Sequence, residues 1–263
     1  MKRVGQRLLV LVAAVAAAGL AWQFVVGSSH RLGPVETDHR SLPPFRRIVV
    51  DGFTEVTLVQ GGAESASVSA PSSQLSSFRT EVSDGTLTVV NTQARSGWGA
   101  FFGRGARHAR VTVTFRDLES IDTSGAVKVR ADRLRTEHLT LTGSGATYVR
   151  IADLDAKSLA VSGSGAMKVE LGGRATEQKI DLSGAADYRA ADLASDDARI
   201  SVSGAGRVVV QVRRTLDVGL SGAASVEYIG NPKVTEEVNG AGRIKRRGTA
   251  ETRPHVVALA AAG

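Results

Sequence analysis

The 263-residue sequence contains no cysteine and few aromatic residues. The absence of cysteine excludes disulfide bonds, thiolate metal sites and a lipid anchor attached to an N-terminal cysteine. Aromatic residues make up only 5% of the chain, so a core must be built from valine, leucine, isoleucine and alanine. The five histidines lack the spacing of metal ligands, and no phosphate-binding glycine loop or nucleophile elbow occurs. The sequence therefore predicts no metal, no cofactor and no nucleotide.

The chain has a net positive charge, and the excess of basic residues lies at its two ends. The formal net charge is +7. Residues 1–47 carry +5 and residues 243–263 carry +4, which leaves −2 for residues 48–242. Nucleic-acid-binding domains concentrate basic residues on their folded body, and this distribution argues against a nucleic acid partner.

The first 27 residues have the layout of an export signal. Lys2, Arg3 and Arg7 precede an apolar run over residues 8–26, which predicts a hydrophobic helix. Nineteen residues reach about 28 Å at ~1.5 Å per residue, which is enough to span a bilayer. The segment is either a cleaved signal peptide or an uncleaved membrane anchor. In both cases the rest of the chain is exported, either to the envelope or cell surface or as a secreted protein.

A short phrase of small residues recurs seven times between Asp122 and Arg243. The copies, about 20 residues apart, are TSGAVKV, GSGATYV, GSGAMKV, SGAADYR, SGAGRVV, SGAASVE and NGAGRIK. Aliphatic residues alternate with small or polar residues on both sides of each copy, which predicts two half-buried strands per unit. The alignment of the copies places these residues in one buried column: Ile121, Leu141, Val161, Leu182, Val202, Leu220 and Val238.

A unit of this length is too short for two strands and a crossover helix, and it cannot bury its apolar face alone. We therefore predict an all-β fold, a right-handed parallel β-solenoid of seven to nine coils that follows the N-terminal hydrophobic helix. The predicted order is a signal peptide or anchor (1–27), a linker (28–46), the solenoid domain (47–248) and a C-terminal tail (249–263). Glycines such as Gly163 are expected to form the corners of the coils.

One outward column of the same alignment contains cationic side chains and one ring. It begins with Lys128, Tyr148, Lys168 and Arg189. Cations beside a ring can contact acidic polysaccharide, or an envelope or host surface, through charge and stacking. An ordinary solvated strand face is the alternative interpretation. These four residues are the predicted ligand-binding residues.

Three features of the sequence together resemble a known family. They are the opening strand FRRIVVDGFTEVTLVQG, the strand DGTLTVV and the repeated SGSGA or SGAG corners. Over roughly residues 45–248 they are similar to the head GIN domain of putative auto-transporter adhesins. The resemblance implies a right-handed β-helix in a bacterial envelope or secreted protein. It implies a non-catalytic adhesin or surface-binding module, and it transfers no functional residues.

The alternative function is a β-helix carbohydrate-active enzyme, either a polysaccharide lyase or a hydrolase. Such an enzyme gathers two or three carboxylates, or a carboxylate with Lys or Arg, on neighbouring coils. Asp181 and Asp187, near Lys168 and Arg189, are the best candidates in this sequence. A corner separates the two carboxylates, so the sequence favours a binding protein over an enzyme.

Overall fold

Alternating small and β-branched residues form strands over most of the chain. The computed structural model describes residues 33–92 and 109–248, and strands account for 85% of them. The elements are β1 (Val35–Ser41), β2 (Arg47–Gln60), β3 (Ser65–Pro71), a 3-10 helix (Ser72–Ser77), β4 (Phe78–Ser83), β5 (Thr86–Asn91), β6 (Arg110–Phe115), β7 (Ser120–Ile229), β8 (Lys233–Gly240) and β9 (Arg243–Gly248).

Strand β2 joins the first strands to the repeated units. It pairs parallel with β5, where Ile48 lies beside Leu87, and with β6, where Val56 lies beside Val111. The start of β7 also pairs parallel with β2, and Ile121 is the partner of Ile48 there. At the other end of β7, β8 and β9 pair parallel with its last residues.

Three of the strand pairs are antiparallel, namely β1 with β3, β3 with β6, and β4 with β5. The result is one mixed sheet that curls into a half-barrel. The all-β class is therefore confirmed, but the prediction of a right-handed parallel β-solenoid is wrong. The predicted N-terminal helix and the tail 249–263 lie outside the described residues. None of the helices that are described is long and apolar enough to cross a membrane.

A two-residue turn explains one antiparallel pair that the solenoid prediction overlooked. Asp84 and Gly85 connect β4 to β5 with φ angles of 50° and 68°. An Asp-Gly pair with positive φ at both residues forms the tight turn of a β-hairpin, and such a turn can join only antiparallel strands. The predicted solenoid over residues 47–248 therefore assigned one parallel direction to all its strands, whereas β4 and β5 run in opposite directions.

Strand β1 lies inside the range 28–46 that the sequence predicted as a linker. Its seven residues pair with β3, and its side chains add cross-strand hydrogen bonds. The Thr37 and Ser69 hydroxyl oxygens are 2.8 Å apart, and His39 Nδ1 is 2.7 Å from the Ser67 hydroxyl. A short strand at the edge of the sheet therefore occupies part of the range predicted as a linker.

The glycines of successive units lie against one another within β7 and β8. A Cβ added to Gly165, whose φ is +97°, would lie 2.6 Å from the carbonyl oxygen of Gly145. The same close approach recurs in the other units. Each of the following glycines has a positive φ and lies against the glycine of the preceding unit, the first of them against Gly52: Gly125, Gly145, Gly165, Gly184, Gly204, Gly222 and Gly240. We call these residues the corner glycines.

The corner glycines correct the register of the sequence alignment. Their spacings are 20, 20, 19, 20, 18 and 18 residues, whereas the alignment placed 21 residues between Ser164 and Ala185. The first three copies are therefore displaced by two residues relative to the last four. Gly163 is not a corner, because its α-carbon faces the buried side chain of Met167. Gly165 occupies the corner instead.

The core is an aliphatic layer on the inner face of the sheet. Of the predicted buried column, every member except Val238 is at most 4% exposed, so the predicted pattern of burial is confirmed. Some buried polar side chains within the described part of this layer pair with one another: for example, the buried Tyr188 hydroxyl donates to Gln178 Oε1 over 2.7 Å. Burial raises the pKa of Tyr188 above its usual range, so the phenol stays neutral.

Candidate functional site

Three of the four predicted ligand-binding residues lie side by side on successive units. Lys128, Tyr148 and Lys168 each stand three residues after a corner glycine, and we call them the lysine column. The ammonium nitrogens of Lys128 and Lys168 lie 5.7 Å and 5.3 Å from the centre of the Tyr148 ring. These distances are typical of cation–π contacts. One ammonium comes from the preceding unit and one from the following unit, so the ring already contacts a cation from each neighbour.

Arg189, the fourth predicted residue, does not stand at the position of the lysine column. It stands five residues after Gly184, and Asp187 occupies the position three residues after that glycine. An Arg189 guanidinium nitrogen lies 2.8 Å from an Asp187 carboxylate oxygen, and Asp187 raises the pKa of Arg189. The alignment placed Arg189 in one column with Lys168, whereas in the structure an Arg189 guanidinium nitrogen lies 3.8 Å from Glu170, the carboxylate that Lys168 also contacts.

Carboxylates neutralise most of the charge of the lysine column. Glu170 lies 2.9 Å from the Lys168 ammonium and accepts a 2.8 Å hydrogen bond from the Tyr148 hydroxyl. These two hydrogen bonds, that from Lys168 first, hold the pKa of Glu170 below its ordinary value of 4.5. Lys128 lies 3.9 Å from Glu55, a carboxylate that Arg130 binds more closely at 2.8 Å. The column is thus largely an internal ion-pair network.

A larger concave site lies next to this network. It is a groove of about 840 Å³, which we call the basic groove. Its charged lining residues are the cations Arg150, Arg189, Arg207, Lys245, Arg246 and Arg247 and the carboxylates Glu170, Asp192 and Glu227. Its remaining lining is small or aliphatic: Ile151, Ala152, Leu171, Gly172, Ala191 and Val209. Cations therefore outnumber carboxylates by two to one.

Three of the cations in the basic groove are exposed and have no anionic partner. Arg207, Lys245 and Arg246 make no ion pair with any residue in the ranges 33–92 and 109–248. By contrast, Arg247 lies 3.6 Å from Glu227, and Arg150 lies 4.0 Å from Glu170. The free positive charge is therefore concentrated at the end of the groove formed by the last units.

Sequence reasoning missed Arg207 because of the register error. Arg207 stands three residues after Gly204, the same position that Lys128 and Lys168 occupy in their units. The alignment assigned that position to Val209, which is 5% exposed and lines the groove. Alignment on the triplet Ser-Gly-Ala would have placed Arg207 correctly.

The carboxylates proposed for an enzyme are held by cations of their own strands. Asp181 lies 3.8 Å from Lys179, and Asp187 pairs with Arg189. Within the described part of the chain, no three residues of the metal-binding types gather in a way that could hold a metal ion.

Comparison with protein families identifies the family of this chain. Residues 44–232 match the family described as putative auto-transporter adhesin, head GIN domain. The chain belongs to this family. No curated protein sequence matches this head GIN domain protein significantly.

Several solved structures share the fold of this head GIN domain. A putative adhesin from Bacteroides fragilis is 22% identical with a TM-score of 0.75, and the alignment covers 81% of this chain and 97% of that one. A putative adhesin from Parabacteroides merdae is 18% identical with a TM-score of 0.62, covering 81% and 96%. A putative lipid binding protein from Parabacteroides distasonis is 16% identical with a TM-score of 0.60, covering 81% and 97%. At these identities the likeness establishes the fold alone.

Proposed function

We propose that this head GIN domain protein is an exported, non-catalytic binding module of the cell envelope and that it attaches to acidic polysaccharide. Membership of an adhesin family supports the adhesive role. One observation carries the choice of ligand, namely the excess of cations over carboxylates in the basic groove.

The charge of the groove contrasts with the rest of the folded body. The residues that the structure describes, 33–92 and 109–248, contain 25 Lys or Arg and 25 Asp or Glu and so carry no net charge, yet cations outnumber carboxylates in the groove by two to one. Clefts lined by one sign of charge focus the electrostatic field and raise the local concentration of oppositely charged ligands. An acidic polymer is therefore drawn to this face rather than to the protein as a whole.

The state of the carboxylates favours binding over catalysis. A glycosidase needs one carboxyl group with a raised pKa, so that it can donate a proton near neutral pH. Glu170 has a lowered pKa, and Asp187 is paired with Arg189. These carboxylates are acceptors that hold neighbouring cations in place, and this supports a module that binds a glycan without cleaving it.

The N-terminal segment sets the location that goes with this function. Residues 1–27 have the sequence of an export signal, either cleaved or retained as an anchor. In the proposed arrangement the sheet lies outside the cytoplasm, where acidic polysaccharides of the envelope or of a host surface are accessible.

Chromatography of the purified full chain tests the proposal. We expect retention on immobilised polygalacturonate but not on neutral dextran, with elution at about 1 M salt, where charges are screened within about 3 Å. Equal passage through both columns would contradict the proposed ligand class. The appearance of new reducing or unsaturated ends in the polygalacturonate during incubation would contradict the non-catalytic role.

A further inference from the structure

We propose that the polysaccharide binds in the basic groove, anchored by Arg207, Lys245 and Arg246, and not on the lysine column. This proposal rests on the proposed function and names its site and the form of its ligand. The ligand is a sugar chain that bears carboxylates at intervals and lies along the groove across several units.

The first argument is the competition from protein carboxylates. A ligand carboxylate that approaches Lys168 must compete with Glu170, which already lies 2.9 Å from the ammonium nitrogen. Such an exchange gains little, because it replaces one exposed ion pair with another. Arg207, Lys245 and Arg246 have no such competitor within the described ranges, so a ligand can bind them without breaking an ion pair.

The second argument is the separation of the free cations. Arg207 follows the corner glycine Gly204, whereas Lys245 and Arg246 follow Gly240, two units further along the sheet. Adjacent strands are about 4.8 Å apart, so these cations stand on strands separated by about 10 Å. Between them lies Glu227, which Arg247 engages at 3.6 Å. A small anion can reach only one of the two points, but an extended polymer can bridge them.

The third argument is the composition of the groove between the cations. Ala152, Gly172, Ala191 and Val209 give it small and aliphatic surfaces. Such surfaces suit the C–H face of a sugar ring, since binding sites combine apolar walls with a few placed polar groups. Arginine presents two parallel N–H donors that match a carboxylate, and arginine makes up most of the cations in the groove. A carboxylated polysaccharide satisfies both features.

Three double variants, each of which removes two positive charges, test where the ligand binds. In the Arg207→Ser, Lys245→Ser double variant we expect the Kd for oligogalacturonate, measured by calorimetry at about 0.1 M salt, to rise about tenfold. The matched control is Arg79→Ser with Lys233→Ser. Both of these residues are exposed, lie outside the groove and form no ion pair among the residues that the structure describes. This control and the Lys128→Ser, Lys168→Ser variant should each change the Kd less than twofold.

The outcomes separate this proposal from the proposed function. If the unsubstituted protein binds and the lysine-column variant loses affinity while the groove variant does not, the groove site is wrong and the function stands. Equal losses in all three double variants would also overturn the groove, because the affinity would then follow net charge. If the unsubstituted protein fails to bind, the function and the site fall together. Equal affinity for inorganic polyphosphate, which has no sugar face, would refute the role of the aliphatic surfaces.

Discussion

A glycine stands at each corner of this sheet because two backbones meet there with no room for a side chain. Gly165 lies against the backbone of Gly145, and Gly184 lies against that of Gly165 in the same way. The φ angles, +97° for Gly165 and +99° for Gly184, lie in a region that L-residues with a Cβ rarely adopt. The lack of space for a side chain and the positive φ therefore both require glycine at the corner.

Replacement of one corner glycine tests this account. In Gly165→Ala the new methyl group would lie 2.6 Å from the Gly145 carbonyl oxygen, at an unfavourable φ. We expect the free energy of unfolding to fall by at least about 2 kcal/mol in urea denaturation. The control is Gly219→Ala, also in β7, where the nearest atom to an added Cβ is 4.0 Å away. Equal losses of the free energy of unfolding in the two variants would contradict a special role for the corner.

The register error has a cause at this same scale. The copies that contain Gly143 and Gly163 place a second glycine two residues later, and the alignment matched the first glycine of each pair, not the second, to Gly184. A shift of two residues leaves each side chain on its own face, because the strand period is two. The burial pattern could therefore be predicted correctly although the neighbours of Lys168 were not. The contact between backbones identifies Gly165 as the corner, in agreement with the triplet Ser-Gly-Ala.

At the scale of elements, the strands were predictable but their directions were not. Alternation identified the buried faces of β5 and β6, whose Leu87, Val89, Val111 and Val113 are fully buried. Alternation describes one strand and carries no information about its partner, so it cannot separate a parallel from an antiparallel neighbour. The Asp84-Gly85 pair was the local signal for a hairpin, and it was visible in the sequence.

The last strands present an edge with no partner among the residues described. In β8, Glu236 lies beside the buried Val218, at a position where the preceding units carry aliphatic residues such as Ile180 and Ile200. A charge that points toward the core on an edge strand discourages another chain from pairing there. Glu236 therefore interrupts the apolar surface that a further strand would cover.

Substitution of this charge should promote association. We expect Glu236→Leu to raise the weight-average mass in sedimentation as protein concentration increases, because the edge gains a continuous apolar face. The neighbouring Glu237 is exposed on the same strand and alternates to the outer face, so Glu237→Leu is the control. Identical behaviour of the two variants would show that general hydrophobicity, and not the inward position, governs association.

Among the residues that the structure describes, most of the ion pairs lie outside the basic groove. Exposed ion pairs join neighbouring units within β7, for example Arg133 with Asp153 at 3.1 Å and Arg174 with Asp155 at 3.1 Å. Each such pair contributes little, since exposed pairs are worth about 0–1 kcal/mol. Three cations without an ion pair, Arg207, Lys245 and Arg246, lie in the basic groove, and others, such as Arg79 and Lys233, lie outside it. The charges that we propose for binding are therefore not the ones that form these ion pairs.

This separation predicts different responses to salt. Raising the salt from about 0.1 M to about 1 M shortens the screening length from about 10 Å to about 3 Å. We expect the affinity for oligogalacturonate to fall at least about tenfold, because it depends on unpaired cations. The melting temperature should change by only a few degrees, since the aliphatic core holds the sheet and the exposed ion pairs add little. Calorimetry and thermal denaturation on the same samples measure both quantities. A large fall in melting temperature with unchanged affinity would reverse the roles assigned to the two sets of charges.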